Sequence, residues 1–379
     1  MKIFHLADTH LGYSAYRKVS PDTRLNQREI DVFNVFEEFV DTALNNKPDL
    51  IIHAGDLFDS VRPSNRAIAF AVRQLLRIST AKIPMVIISG NHETPRLKET
   101  DCIFRVFEHI EGIYPVYQQK LELISLEINS REVVVHALPH IGSEERFREE
   151  FEKMNPKKNK VNIAVLHGSL VGLDFGYLTG DFNEIKINGR ILTREFDYIA
   201  LGHFHHHTRI DDRCAYSGST ERYSFSEAGK KKGFLEINVV SDRLITTFRE
   251  LTTREMLDLG LLNVMNMNME EVGAAIADRI SSFSIIDAVV RLKIEKITKE
   301  VYKGLDHTAL DELTKKALYF RFNWDIVDDV ALGMDYSSQF QGLIREFQDF
   351  IDKSIVENLS KERLKEMGSH YLIRAGVKD

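Results

Sequence analysis

The sequence predicts an α/β chain (α+β by some schemes), with two packed, mixed β-sheets flanked by helices, then a smaller α/β cap and C-terminal helices. Three observations carry this prediction. Apolar runs alternate with helix-period segments at the start of the chain, strands crowd together from about residue 113, and strands ending in glycine and polar residues cease beyond residue 250. A length of 379 residues fits two or three domains, here 1–250, 251–335 and 336–379.

Taken in order, residues Lys2–Ala7, Leu50–Ala54, Met85–Ser89 and Val161–Leu166 are short apolar runs that read as buried strands. Between the first two lies a helical face of Val32, Phe36, Phe39, Val40, Ala43 and Leu44, and between the next two a second helix, Ser64–Ile78, opened by Pro63-Ser64. Strand–helix–strand order implies parallel crossovers and a covered sheet. Closely spaced strands follow at Ile113–Tyr117, Leu121–Ile128 and Glu132–Ala137, then at Tyr198–Leu201, Cys214–Ser217, Gly233–Val240 and Leu244–Arg249. So many strands imply two sheets. Farther on, Asp287–Ile297 and Tyr319–Val327 read as strands around a helix at Leu310–Leu318. In the tail Phe340, Leu343, Ile344, Phe347, Phe350 and Ile351 form an apolar helical stripe, followed by a shorter helix beginning at Ser360–Met367.

Composition narrows the function classes. Lys and Arg number 50 against 57 Asp and Glu, a net charge of −7, which argues against a broadly basic nucleic-acid binder. Residues 251–379 carry 17 basic and 22 acidic residues, leaving 33 and 35 for the first 250. No apolar run approaches the roughly 20 residues of a bilayer span, and the N-terminal run turns polar at Asp8, too early for a signal peptide. A cytoplasmic, prokaryotic protein is expected. Cys102 and Cys214 sit in no metal or redox spacing. Of the 14 histidines, only His307 and His370 lie beyond residue 207.

Five segments, each ending an apolar strand, concentrate the chemistry: Asp8-Thr9-His10, Gly55-Asp56-Leu57-Phe58-Asp59, Gly90-Asn91-His92-Glu93, His167-Gly168 and Gly202-His203-Phe204-His205. Parallel strands deliver their carboxyl ends to one sheet edge, where open α/β folds bind ligands. An Asp and a His two apart, or two histidines two apart, face the same side of an extended segment. Asp8, His10, Asp56, Asn91, His167, His203 and His205 would then converge as seven donors without sulfur. Seven such groups with two carboxylates suit two ions sharing an aspartate, and the donor types suit manganese, iron or zinc better than calcium. His53, His136 and His140, in or beside apolar strands, read as structural. His206 and His207 fall outside the ligand spacing, and Lys230-Lys231-Lys232 reads as a solvated loop or a phosphate contact.

The ordered motifs D-x-H, G-D-x-x-D, G-N-H-E, H-G and G-H-x-H resemble those of the calcineurin-like metallophosphoesterases. With Arg62-Pro63 and the later Tyr216–Arg222 run, residues 1 to about 225 resemble the double-strand-break repair nucleases of the meiotic recombination eleven family, whose bacterial relatives are called SbcD. The resemblance implies the metallophosphoesterase sandwich and two divalent ions, expected to be manganese. One would be held by Asp8, His10, Asp56 and His205, the other by Asp56, Asn91, His167 and His203. It implies that His92 faces the scissile phosphate as proton donor or transition-state stabiliser. Glu93 stands where many relatives carry aspartate, and its longer arm could orient the His92 imidazole. Arg17, Arg62 and Arg222, close to these motifs, are candidate DNA contacts.

The activity so implied is 3′-to-5′ exonuclease action on duplex ends, with endonuclease action on single strands and hairpins. The resemblance also implies a DNA-binding cap at 251–335, a homodimer through helices near 25–46 and 64–78, and an SMC-like coiled-coil ATPase bound through the stripe at Phe340–Ile351. Alternatives are another phosphoesterase of the superfamily, a phosphatase or phosphodiesterase, or a mainly architectural DNA-end tether. Asp59 is followed by Ser60-Val61 rather than the Arg-Gly of protein phosphatases, and no phosphate-binding loop marks the chain as an ATPase itself.

Overall fold

The structure, a computed structural model, describes residues 1–95, 101–171, 185–240, 243–327, 343–353 and 360–374. They group into two compact units, one of residues 1–260, 276–293 and 307–323 and the other of residues 261–275, 294–306 and 324–379. The elements in chain order are β1 (Lys2–Leu6), α1 (Gln27–Asn46), β2 (Leu50–His53), α2 (Asn65–Thr80), β3 (Met85–Ile88), β4 (Ile113–Val116), β5 (Glu122–Ile128), β6 (Arg131–Leu138), α3 (Glu144–Glu152) and β7 (Val161–His167). They continue as β8 (Ser169–Val171), β9 (Lys186–Asn188), β10 (Tyr198–Gly202), β11 (Thr208–Arg209), β12 (Cys214–Tyr216), β13 (Gly233–Val240), β14 (Arg243–Glu250) and β15 (Met256–Asn263). Last come α4 (Met269–Ser281), β16 (Val289–Thr298), α5 (Lys299–Gly304), α6 (His307–Thr314), β17 (Tyr319–Val327), α7 (Leu343–Lys353) and α8 (Lys361–Arg374).

The first unit is built around two six-stranded sheets, in the orders β14-β13-β1-β2-β3-β4 and β11-β12-β10-β7-β6-β5. Each is parallel at its centre and antiparallel at an edge, so both are mixed as the sequence predicts. Strand alternation places Ile3, Ile52 and Val86 of one sheet and Val135, Ile163 and Val165 of the other in a single shared core. The opposite face of the first sheet packs on α1 and α2 through Phe4, Ile51, Phe36, Phe39 and Leu75. The opposite face of the second packs on Phe147 and Phe151 of α3. Helix, sheet, sheet and helix therefore stack in four layers.

Local signals explain the helices. Asn26 caps α1 by accepting from Arg28 N, and Lys47 ends it in a left-handed turn. Ser64 caps α2 by accepting from Ala67 N at 3.2 Å, so the Pro63-Ser64 start lies within one residue of the expected helix. β13 and β17 match their predicted bounds. The sequence reading did not place β15, α3 or α4.

Arg28, 1% exposed, is among the largest wholly buried side chains. It donates to Asp31 Oδ2 (2.8 Å) and to the Arg222 carbonyl (2.6 Å), and it pairs with the buried Glu221 at 3.4 Å. Arg254 grips Asp31 with both arms, at 2.6 and 2.7 Å. Removing one member of such a buried network leaves an unpaired charge in low dielectric. Arg28→Met is expected to lower stability by about 3–5 kcal/mol in urea denaturation. A loss under 1 kcal/mol would mean that Arg254 alone satisfies the two carboxylates.

Candidate metal centre

The five motif segments all leave carboxyl ends of central strands: β1, β2 and β3 in one sheet, and β7 and β10 in the other. Main-chain hydrogen bonds zip the first two together. Asp8 N donates to Gly55 O, Thr9 N and His10 N to Asp56 O, and Leu11 N to Leu57 O, at 2.7–3.1 Å. His203 N donates to both oxygens of Asp8 at 3.0 Å, joining the second sheet to the first.

The side chains converge, though for a different reason than extended spacing. Asp8 (φ 52°), His10 (φ 49°), Asp56 (φ 57°) and His203 (φ 100°) all have left-handed backbones. Each is a conformation that non-glycine residues adopt only when their surroundings impose it. Donor atoms of Asp8, His10 and His205 lie within 4.8 Å of one another, and so do those of Asp8, Asp56 and His167. His10 Nε2 stands 3.2 Å from His205 Nε2 and 3.9 Å from Asp56 Oδ2. Asn91 Oδ1 lies 2.9 Å from His167 Nε2 and 3.2 Å from His203 Nδ1. His10, Asp59 and His92 make a third grouping.

Tautomers decide whether cations fit. His167 Nδ1 lies 2.8 Å from the Ala54 carbonyl, which only accepts, so Nδ1 carries a proton. Its Nε2 then points at two further acceptors, Asn91 Oδ1 and, at 3.3 Å, Asp56 Oδ2. Such converging lone pairs require positive charge among them, either a second ring proton or a metal ion. Without a metal the ring supplies it. Burial would lower the His167 pKa, but Asp56 outweighs burial, through its charge and their hydrogen bond, and the group is pushed up to about 9. Burial likewise favours a neutral Asp56 carboxyl, yet His167, His92 and His10 hold it well below the usual carboxylate range. Burial raises Asp8 and lowers His203 to about 3. The donor set thus fits divalent cations by chemistry as well as by position.

Other candidates fall elsewhere. His92, half-buried, places Nδ1 2.8 Å from the Asp59 carbonyl, and its ring meets His10 edge-on at 4.6 Å. Glu93 does not touch that imidazole in any hydrogen bond described. It accepts from Phe58 N (2.6 Å) and Gly90 N (2.9 Å), tying two motif loops together. Arg17 and Arg62 are exposed. Arg222, expected at DNA, is only 5% exposed, and its guanidinium donates to Lys230 O, Thr253 Oγ1 and Arg254 O. It is therefore turned into the protein. His53 bonds Thr9 Oγ1 and His136 bonds Asn162, as structural histidines do. His140 is buried, and among the described residues neither it, His206 nor His207 joins a donor group.

The sequence reading missed Tyr223, whose hydroxyl donates to Thr9 O at 2.6 Å and whose ring packs on His10 and His205. Glu227, buried, also went unnoticed, and Lys232, read with its neighbours as a solvated loop or a phosphate contact, is instead buried. An acidic residue in a serine-rich loop and a lysine in a basic run carry no burial signal.

Residues 1–207 match the family described as calcineurin-like phosphoesterase. The chain is also similar to proteins described as DNA double-strand break repair protein Mre11. With that of Sulfurisphaera tokodaii it is 32% identical over 206 residues, 54% of this chain and 49% of the relative. With that of Methanococcus maripaludis it is 30% identical over 247 residues, 62% of this chain and 61% of the relative. With that of Sulfolobus acidocaldarius it is 25% identical over 394 residues, covering 96% and 98%. The chain thus spans about half to three fifths of the first two relatives and almost all of the third.

Close approach at Gly90 offers a test of the geometry. A Cβ there would stand 2.6 Å from Asp56 N and press on the Asp56 carboxylate. Gly90→Ala is expected to fold yet to bind divalent cations at least 10-fold more weakly in calorimetric titration. Gly142→Ala, with open space around the added carbon, should match the wild type. Unchanged affinity in Gly90→Ala would remove Asp56 from the centre.

Proposed function

The chain belongs to the calcineurin-like phosphoesterases, and from that premise we propose that it is the manganese-dependent nuclease subunit of a DNA double-strand-break repair complex. It would degrade duplex ends 3′-to-5′ and cut single strands and hairpins. The observation that carries the phosphodiester chemistry is the convergence of seven sulfur-free donors from the two sheets. The DNA substrate and the repair role are supported by the names of the relatives.

In this reading Asp8, His10, Asp56 and His205 hold one cation and Asp56, Asn91, His167 and His203 the other. When bound, the pair supplies Lewis acidity toward a phosphodiester and its water nucleophile. His92 supplies the proton. Its Nδ1–H is committed to the Asp59 carbonyl, which leaves Nε2 to act on the leaving oxygen. Burial would lower its pKa, but the Asp56 charge, the Asp59 carbonyl and the Asp59 charge together raise it, favouring the acid form. Arg17 and Arg62, both exposed, are the proposed phosphate contacts, and the cap at 251–335 the proposed DNA-binding domain.

The proposed assembly is a cytoplasmic homodimer with an SMC-like ATPase. None of the described helices is long and apolar enough to cross a membrane. The dimer contact would use the apolar cleft lined by Leu44, Ala69, Val72 and Leu76 of α1 and α2. The ATPase would use α7, within the proposed 336–379 helical segment. Phe340 lies outside the described residues, as does the side chain of Leu343. Of the rest, Ile344 is buried, Phe347 and Ile351 are half-buried, and Phe350 is 67% exposed. Gly368 of α8 lies against the Phe347 ring, and Gln348 bonds Ser369, so α8 already uses part of the stripe.

A metal panel on linear duplex, hairpin and phosphopeptide substrates tests the reading. Cleavage of both DNAs with manganese and none in chelator is expected, and phosphopeptide turnover alone would make the chain a phosphatase. His92→Gln should keep its cations and lose ~10²–10⁴-fold in turnover. Normal turnover with full metal content would demote His92 to a structural residue. In the tail, Phe350→Asp should abolish co-purification with the ATPase, whereas Ile344→Asp should lower Tm. ATPase binding by Phe350→Asp would exclude the exposed face of α7.

A further inference from the structure

Lys232 and Glu227 are 1% and 3% exposed and form a direct ion pair. Lys232 closes a three-lysine run that reads as solvent-facing, yet its ammonium is wholly enclosed. It donates to Ser219 Oγ at 2.8 Å and to the carbonyl of His205 at 2.7 Å. Glu227 Oε1 accepts from Tyr223 N (3.3 Å) and Ser224 Oγ (3.2 Å) and lies 3.2 Å from His205 Nδ1. The two ends of one ion pair therefore hold the same residue, Glu227 by its ring and Lys232 by its main chain.

A buried ion pair is a poor way to stabilise a fold, because desolvation offsets most of the attraction and an apolar pair of equal volume does as well or better. Its effect on the ring is specific. A carboxylate only accepts, so Nδ1 of His205 keeps its proton and Nε2 turns its lone pair toward the group it forms with Asp8 and His10. A negative charge behind the ring also makes that lone pair a stronger donor. Among the described residues, Nδ1 of His167, the matching ligand of the other group, is backed by the neutral Ala54 carbonyl.

We propose that Glu227 and Lys232 are a positioning pair that fixes the tautomer and orientation of His205 and so sets the affinity of one divalent cation without affecting the other. This rests on the metal reading above. The test is Mn²⁺ titration by calorimetry on the full chain, with Co²⁺ absorption spectra and thermal melts in parallel. Wild type should take up two cations; if it takes up none, the metal reading itself fails. Glu227→Gln should weaken one step about 10–100-fold, leave the other unchanged and alter one cobalt spectrum. A double variant, Glu227→Met with Lys232→Met, removes both buried charges and should melt at or above the wild-type temperature while showing the same single-site loss. Lys231→Ala, a neighbour 73% exposed, should change neither step. Unweakened binding in a folded Glu227 variant, or equal weakening of both steps, would overturn the proposal. A double variant that no longer folds would also overturn it, since the pair would then serve the fold.

Discussion

One carboxylate with almost no water to face organises the centre. Asp56 is 2% exposed, and four of the five motif segments meet at it. Its main-chain oxygen accepts from Thr9 N and His10 N, its Oδ1 accepts from His92 N at 3.0 Å, and its Oδ2 lies 3.3 Å from His167 Nε2. The fifth segment joins through Asp8, which receives His203 N. Desolvating a carboxylate so fully is unfavourable unless donors and positive charge surround it. The placement of β1, β2, β3 and β7 around this one group satisfies that demand. The two sheets must therefore present their carboxyl ends together, and the shared apolar core between them holds them there.

The chemistry of the site was legible in the sequence because residue type and order carry it, while the geometry was not. Alternation in an extended strand predicts that Asp8 and His10 share a side, and they do converge, but through two left-handed residues with Thr9 between them. Such conformations persist only where neighbours over-determine them. Here the neighbours are the hydrogen bonds from Asp8, Thr9, His10 and Leu11 to the loop after β2. Gly55 shows the same crowding from the other side: its backbone is left-handed, and a Cβ would stand 2.7 Å from His167 Cγ and press on the ring. No single-sequence pattern reports a contact between residues 55 and 167.

Strands were legible where burial is complete. All residues of β2 and β3 are buried, and an uninterrupted apolar run bounded by polar residues leaves little choice. β15 was not read because its burial is irregular and Gly260, left-handed at φ 80°, interrupts the alternation. Charged residues misled most. Arg28, Arg222 and Lys232 look like surface charge in sequence, yet all three lie inside, each spending its donors on carbonyls or carboxylates from distant segments. Burial of a charge depends on partners many residues away, which local pattern cannot supply.

That inward turn of basic residues bears on how an acidic chain could hold the polyanion proposed as its substrate. Asp31 and Glu221 are matched by Arg28 and Arg254, and Glu227 by Lys232. Asp56 is matched by His167. At Asp8 the described hydrogen bonds come from a neutral amide, His203 N, and burial raises its pKa in spite of the nearby imidazoles. Of the buried carboxylates, Asp31, Glu221 and Glu227 thus face permanent cations, whereas Glu93 accepts from the main-chain amides of Phe58 and Gly90. Where Asp8 faces His10 and His205, the chain supplies only imidazoles, which can lose their protons. A site that binds divalent cations needs that arrangement, because a fixed arginine or lysine there would compete with the ion for the same oxygens. Side-chain charge serves the framework, and the charge that meets a phosphate at the centre is left to the cations.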